Sequence, residues 1–116
     1  MKRGEIYFMY EPGQGSVQAG YRPVIVVQND IGNHYSPTTI VCSITAARKK
    51  PLPTHLFIGA SGGLYKESTV LCEQIHTVNK RDLKTYVGFI SETRILKELD
   101  RRILISLGIN KEQEYD

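Results

Sequence analysis

A chain of 116 residues, 41% apolar and 23% charged, suffices for one domain that buries about two-thirds of its unfolded surface without staples. No apolar run approaches the roughly 20 residues of a membrane span, and Met1-Lys2-Arg3 leads into Gly4-Glu5-Ile6-Tyr7 rather than a secretion signal, so a cytoplasmic protein with no membrane segment is expected. A net charge of +3 is compatible with a polyanionic partner and too mild to demonstrate one.

Ile6 to Tyr10 is a β-branched and aromatic run, closed by the turn formers Glu11-Pro12-Gly13-Gln14-Gly15-Ser16. This predicts a strand followed by a loop reaching Gly20. Val24 to Val27 is continuously apolar, as in a strand buried on both faces, and Pro23 suits its start. A short helical turn is expected around Asn29 to Tyr35. Thr38 to Thr45 alternates, with Ile40, Cys42 and Ile44 on one face and Val41, Ser43 and Thr45 on the other.

Beyond the basic loop Arg48-Lys49-Lys50-Pro51-Leu52-Pro53, His55 to Ile58 reads as a short strand and Gly59 to Ser68 as a turn region. Thr69 to Val78 is a long strand whose alternation assigns Val70, Cys72, Gln74 and His76 to one face and Leu71, Glu73, Ile75 and Thr77 to the other. Tyr86 to Ile90 is the last strand. Ser91 then caps a helix striped by Leu96, Leu99, Ile103 and Leu107, and Gly108 stops it. Short strands, glycine-rich turns and one terminal helix predict a mainly β (α+β) single domain, a small barrel, over 1–116, with 111–116 a frayed tail. Cys42 and Cys72, set in apolar runs without a CxxC pair, read as buried free thiols, and no metal site is expected.

The chemistry-bearing residues are few. Gly13-x-Gly15 is not a phosphate loop, because neither a third glycine at 18 nor a Lys-Ser/Thr pair follows. Pro23 forces Arg22 into an extended conformation at the entrance of a buried strand, where its guanidinium can clamp a phosphate and stabilise a phosphorane. Thr45 ends its strand just before Arg48-Lys49-Lys50, so a hydroxyl donor and a cationic track adjoin. Glu73, Gln74 and His76 add a potential base, a base-reading amide and an imidazole. In a regular strand Glu73 and His76 face apart and form no acid/base pair. His34 and His55 read as surface or capping groups. Taken singly, these residues also fit plainer roles: an ion-paired Arg, a strand threonine and a solvated basic loop.

Their order along the chain is more specific. Arg3-Gly4-Glu5-Ile6-Tyr7, the block Gly20-Tyr21-Arg22-Pro23-Val24-Ile25-Val26-Val27-Gln28-Asn29-Asp30, Ser36-Pro37-Thr38-Thr39-Ile40-Val41 through Ile44-Thr45-Ala46, Pro51-Leu52-Pro53-Thr54-His55 and Leu71-Cys72-Glu73-Gln74-Ile75-His76-Thr77-Val78 closely resemble the MazF/PemK toxin endoribonucleases. The resemblance covers nearly the whole chain. It implies an SH3-like barrel of five to seven strands with a C-terminal α-helix, usually homodimeric, with single-stranded RNA lying across grooves at the subunit interface. It implies a type II toxin restrained by a MazE-like antitoxin and a cofactor-free, metal-free cleavage in which a 2′-hydroxyl attacks its neighbouring phosphate.

By the same resemblance Arg22 and Thr45 are the catalytic pair and Glu73 an auxiliary group, while Gln74, His76, Arg48, Lys49, Tyr21 and Gln18 contact RNA. The loop from Tyr10 to Gly20 is expected to close over it. One departure is His76, where many relatives carry Arg. A guanidinium is a poor free base, so the general base stays open. Two other functions remain: a non-catalytic RNA-binding barrel, and a DNA gyrase inhibitor of the CcdB type, which shares the barrel but lacks the Arg–Thr pairing. RNA cutting separates them.

Overall fold

The apolar run that begins at Val24 lies in an inner strand, ending at Val26, of a six-stranded sheet whose neighbours are all antiparallel, in the order β4-β5-β3-β2-β1-β6. The strands are β1 (Glu5–Glu11), β2 (Gly20–Val26), β3 (Thr38–Thr45), β4 (His55–Gly59), β5 (Ser68–Asn79) and β6 (Thr85–Phe89). Helix α1 (Asp30–Tyr35) links β2 to β3, a 3-10 turn (Lys80–Asp82) links β5 to β6, and α2 (Thr93–Ser106) follows β6. The computed structural model describes residues 1–11, 20–47 and 50–110.

Period-2 alternation puts a hydrophobic cluster on each face of the sheet. Ile6, Ile25, Cys42, Ile44, Val70 and Cys72 join Ile90 and the α2 residues Ile95 and Leu99 on one side. Met9, Val24, Val26, Val41, Val78 and Leu83 form the other. The two cysteines are buried and unbridged, and Cys42's thiol is pushed far above its ordinary pKa, first by a hydrogen bond with Cys72 and then by burial. A thiol so held has no thiolate to offer as a nucleophile.

The sheet curls until the segment after β4 meets β6. Gly62 and Gly63 adopt left-handed φ of 61° and 89° there, and a Cβ on Gly88 would overlap the Gly62 carbonyl oxygen. Only glycines permit so close a backbone approach. It brings the two edge strands towards closure, as a small barrel requires.

Three local expectations change. The alternation along β5 is interrupted, because Ser43 pairs with Leu71 while its neighbour Cys42 pairs with Ile75. Cys72, Glu73 and Gln74 lie in the resulting bulge. Val70 and Cys72 therefore enter the first cluster while His76, paired with Val41, belongs to the opposite face. At α2 the N-cap is Glu92, without a side-chain cap bond, rather than Ser91. Ile95 and Leu99 are its buried residues, whereas Leu107 beyond its end is exposed. Asn29 does cap α1, accepting from the Gly32 N–H at 2.8 Å.

Candidate active site

Register decides which of the candidate residues meet. Met9 pairs with Arg22, and Val24 with Ser43, so continuing the β2–β3 register by two residues sets Arg22 opposite Thr45. Thr45 pairs with Thr69, and Thr69 with Phe57. One row across the face thus reads Met9, Arg22, Thr45, Thr69, Phe57. The adjoining row carries Val24, Ser43, Leu71 and His55. The recorded β2–β3 pairs end at Val24 and Ser43, and the line of the two strands leads on to Arg22 and Thr45, 23 residues apart in sequence.

Arg22 is half-buried at the start of β2, where Pro23 holds the backbone extended. Thr45 is buried, and its Oγ1 accepts from the Ala47 N–H at 3.1 Å. That bond uses a lone pair and leaves the hydroxyl proton to donate elsewhere. Beside the row lies a groove of about 450 Å³ lined by Ala46, Ala47, Pro51, His55, Phe57, Glu67 and Thr69. The exposed Phe57 ring on its wall is a surface on which an unstacked base can lie.

Glu73 projects from the bulge towards β4 rather than towards Arg22. Its carboxylate accepts from Thr54 Oγ1 at 2.9 Å and meets His55 Nε2 at 3.2 Å. His55 is therefore no surface or capping group, since its side chain is only 8% exposed. Its backbone carbonyl is held by Arg102 of α2 at 2.9 Å. This Glu73–His55 pair flanks the groove, so Glu73 is occupied in orienting a histidine.

His76 takes the other direction. Its Nε2 lies 2.9 Å from Glu11 Oε1, and the same oxygen accepts from Ser43 Oγ at 2.6 Å. Glu73 and His76 thus serve separate clusters. The hydrogen bond to Glu11 raises the pKa of His76 against the opposing effect of its partial burial. Gln74 is half-buried in the bulge. Tyr21 turns away from Arg22 by strand alternation and stacks on Phe8 at 5.8 Å between centroids, so the fold does not bring it to the Arg22–Thr45 row. Gln18, Arg48 and Lys49 lie outside the described residues, as does the tail 111–116. Among the described residues no three His, Cys, Asp or Glu side chains are grouped to hold a metal ion, and no helix is long and apolar enough to cross a membrane.

In the sequence Glu11 and Ser43 carry no mark of a role, and His55 reads only as a surface or capping group. Glu11 opens a run of turn formers, and Ser43 sits within an alternating strand. A signal for Ser43 was its place on the Thr45 face; none existed for Glu11, whose partners lie 32 and 65 residues away.

The curled sheet with a C-terminal helix places the chain in the structural class of the MazF toxins. It superposes on an endoribonuclease in complex with its cognate antitoxin from a mycobacterial species, at TM-score 0.78 and 23% identity over 95% of this chain and 97% of that one. It likewise superposes on MazF from Deinococcus radiodurans at TM-score 0.77 and 21% identity, over 94% and 97%. In sequence it is 45% identical over 113 residues, 95% of this chain and 93% of the other, to the endoribonuclease MazF of Staphylococcus epidermidis. The pattern of the PemK-like, MazF-like toxins of type II toxin-antitoxin systems matches residues 2–107. The chain belongs to this family.

Proposed function

We propose that the chain is the endoribonuclease toxin of a type II toxin–antitoxin system, cutting single-stranded messenger RNA and arresting growth. Family membership supports the activity, and the β2–β3 register, which runs to Val24–Ser43 and, continued by two residues, leads from Arg22 to Thr45, is the observation that supports the mechanism.

The 2′-hydroxyl of the nucleotide before the cut gives up its proton as its oxygen attacks the adjacent phosphorus, and the bond to the 5′-oxygen breaks as that oxygen takes up a proton. A 2′,3′-cyclic phosphate and a 5′-hydroxyl result. The Arg22 guanidinium, a forked donor, stabilises the charge that accumulates on the non-bridging oxygens. The Thr45 hydroxyl donates a second hydrogen bond. Neither group needs a metal ion, and the nucleophile belongs to the substrate, so no covalent enzyme intermediate forms. Gln74 reads a base edge through its amide. The protein acts in the cytoplasm as a homodimer, and a MazE-like antitoxin covers the RNA-binding face.

The test is incubation of the antitoxin-free protein with long single-stranded RNA in excess EDTA, beside Arg22→Ala. Discrete fragments ending in cyclic phosphate from the wild type, and a loss of at least about 100-fold in the variant, are expected for removal of a donor to the developing charge. Intact RNA from a folded sample, across several RNAs, refutes the reading.

A further inference from the structure

Glu11, the last residue of β1, has a side chain only 4% exposed, and its Oε2 is buried with no hydrogen-bond partner among the described residues. Burial of a carboxylate is costly unless a cation meets it. That cation is His76, reached across the curl of the sheet from β5. The ring meets an acceptor at each nitrogen, the Glu11 carboxylate at Nε2 and the Gln74 carbonyl oxygen 3.3 Å from Nδ1. Two acceptors call for two N–H donors, which only the imidazolium has.

We propose that Glu11 is a positioning residue of the RNA-cleaving face, holding His76 as a fixed imidazolium on the same face of the sheet as Arg22 and Thr45 so that the face presents two cations to the RNA backbone. This rests on the ribonuclease reading given above. The raised pKa of His76, caused first by its bond to Glu11, agrees with the geometry. The ring is 37% exposed, so its charge is felt at the surface.

Strand alternation and register put Glu11, Arg22, Ser43, Thr45 and His76 on one face, with Glu11 diagonal to Arg22 across β1 and β2. Diagonal neighbours stand within reach of long side chains. When His76 loses its proton, the face loses a cation and the Glu11 charge is left to offset the Arg22 guanidinium diagonal to it. Both changes disfavour phosphate. The other groups around His76 accentuate this. Tyr10 and Glu11 from β1 and Asp82 from the 3-10 turn line the cavity of about 380 Å³ into which it opens. β3 contributes Thr38 to that cavity and the Ser43 hydroxyl to Glu11, and β5 itself Thr77 and Asn79, none of which titrates in this range.

The experiment pairs an NMR titration of the His76 ring with the pH profile of kcat/KM for an RNA that the wild type cuts in EDTA, between about pH 5.5 and 9. Variants are Glu11→Gln, which keeps shape and acceptor but removes charge, His76→Arg, and Ser43→Ala as a control that removes one neutral bond. In the wild type the ring titrates above the usual histidine range of about 6.5, and kcat/KM falls about fivefold through the same pH, as for loss of one partly screened charge near a phosphate. Glu11→Gln lowers both the ring titration and the kinetic break by the same interval, His76→Arg abolishes the break, and Ser43→Ala moves it little.

An unmoved titration in folded Glu11→Gln, or a break that persists in His76→Arg, overturns the proposal. Should the wild type cut no RNA at any pH, the ribonuclease reading fails and the part of Glu11 in cleavage fails with it; the NMR arm still decides whether Glu11 holds the charge.

Discussion

Replacing Thr45 by valine keeps the β-branched shape that suits the end of β3 and removes one atom's chemistry, the hydroxyl. In the folded protein that oxygen accepts from the Ala47 N–H at 3.1 Å, so the variant leaves one partly buried amide without its partner. A lost hydrogen bond of this kind costs about 1 kcal/mol, or a fall of about 4 °C in Tm for a domain of this size. With a total stability of about 5–15 kcal/mol, nearly every molecule remains folded at 25 °C. Activity responds on another scale, because a donor aimed at the developing negative charge contributes about 10²- to 10³-fold. Single-turnover cleavage in EDTA, with Tm measured on the same samples, separates the two effects. Thr45→Val is expected to lose about 100-fold or more while melting within a few degrees of the wild type. Thr45→Ser, which keeps the hydroxyl, recovers most of the rate. A folded Thr45→Val that keeps more than about a tenth of the activity, or a folded Thr45→Ser as inactive as valine, refutes a role for this hydroxyl in cleavage.

Leu99, fully buried where α2 meets the first cluster, is expected to cost about 2–5 kcal/mol when cut to alanine, read as a lower urea midpoint at unchanged slope. Gly88→Ala forces a Cβ onto the Gly62 carbonyl; lifting that loop costs about 1–3 kcal/mol and lowers the midpoint, whereas an unchanged midpoint means that the contact is not needed for closure. Stability should also carry the sign of the His76 shift. Since its folded pKa is raised, its contribution is fully present below the unfolded value of about 6.5 and is lost as pH rises through the folded value. Urea midpoints of the wild type should therefore exceed those of His76→Gln by more at pH 5.5 than at pH 9, and a constant difference contradicts the pairing with Glu11.

Much of this protein was legible in the sequence because it depends on neighbours in the chain. Apolar runs and alternation located the strands, the turn expected at Asn29 to Tyr35 is α1 with Asn29 as its N-cap, and Pro23 implied an extended Arg22 at the root of β2. The blocks from Arg3 to Val78 were enough to indicate the family. What local pattern could not decide was phase and partnership. A period of two carries a face assignment only until a bulge resets it, and the one at Cys72–Gln74 moved His76 to the side opposite Cys72 and turned Glu73 towards His55. The meeting of Glu11, Ser43 and His76 follows from strand order and curl, which join β1, β3 and β5 whatever their separation in sequence. The residue types were set by the sequence alone; the charge that each one meets was decided only when the sheet closed.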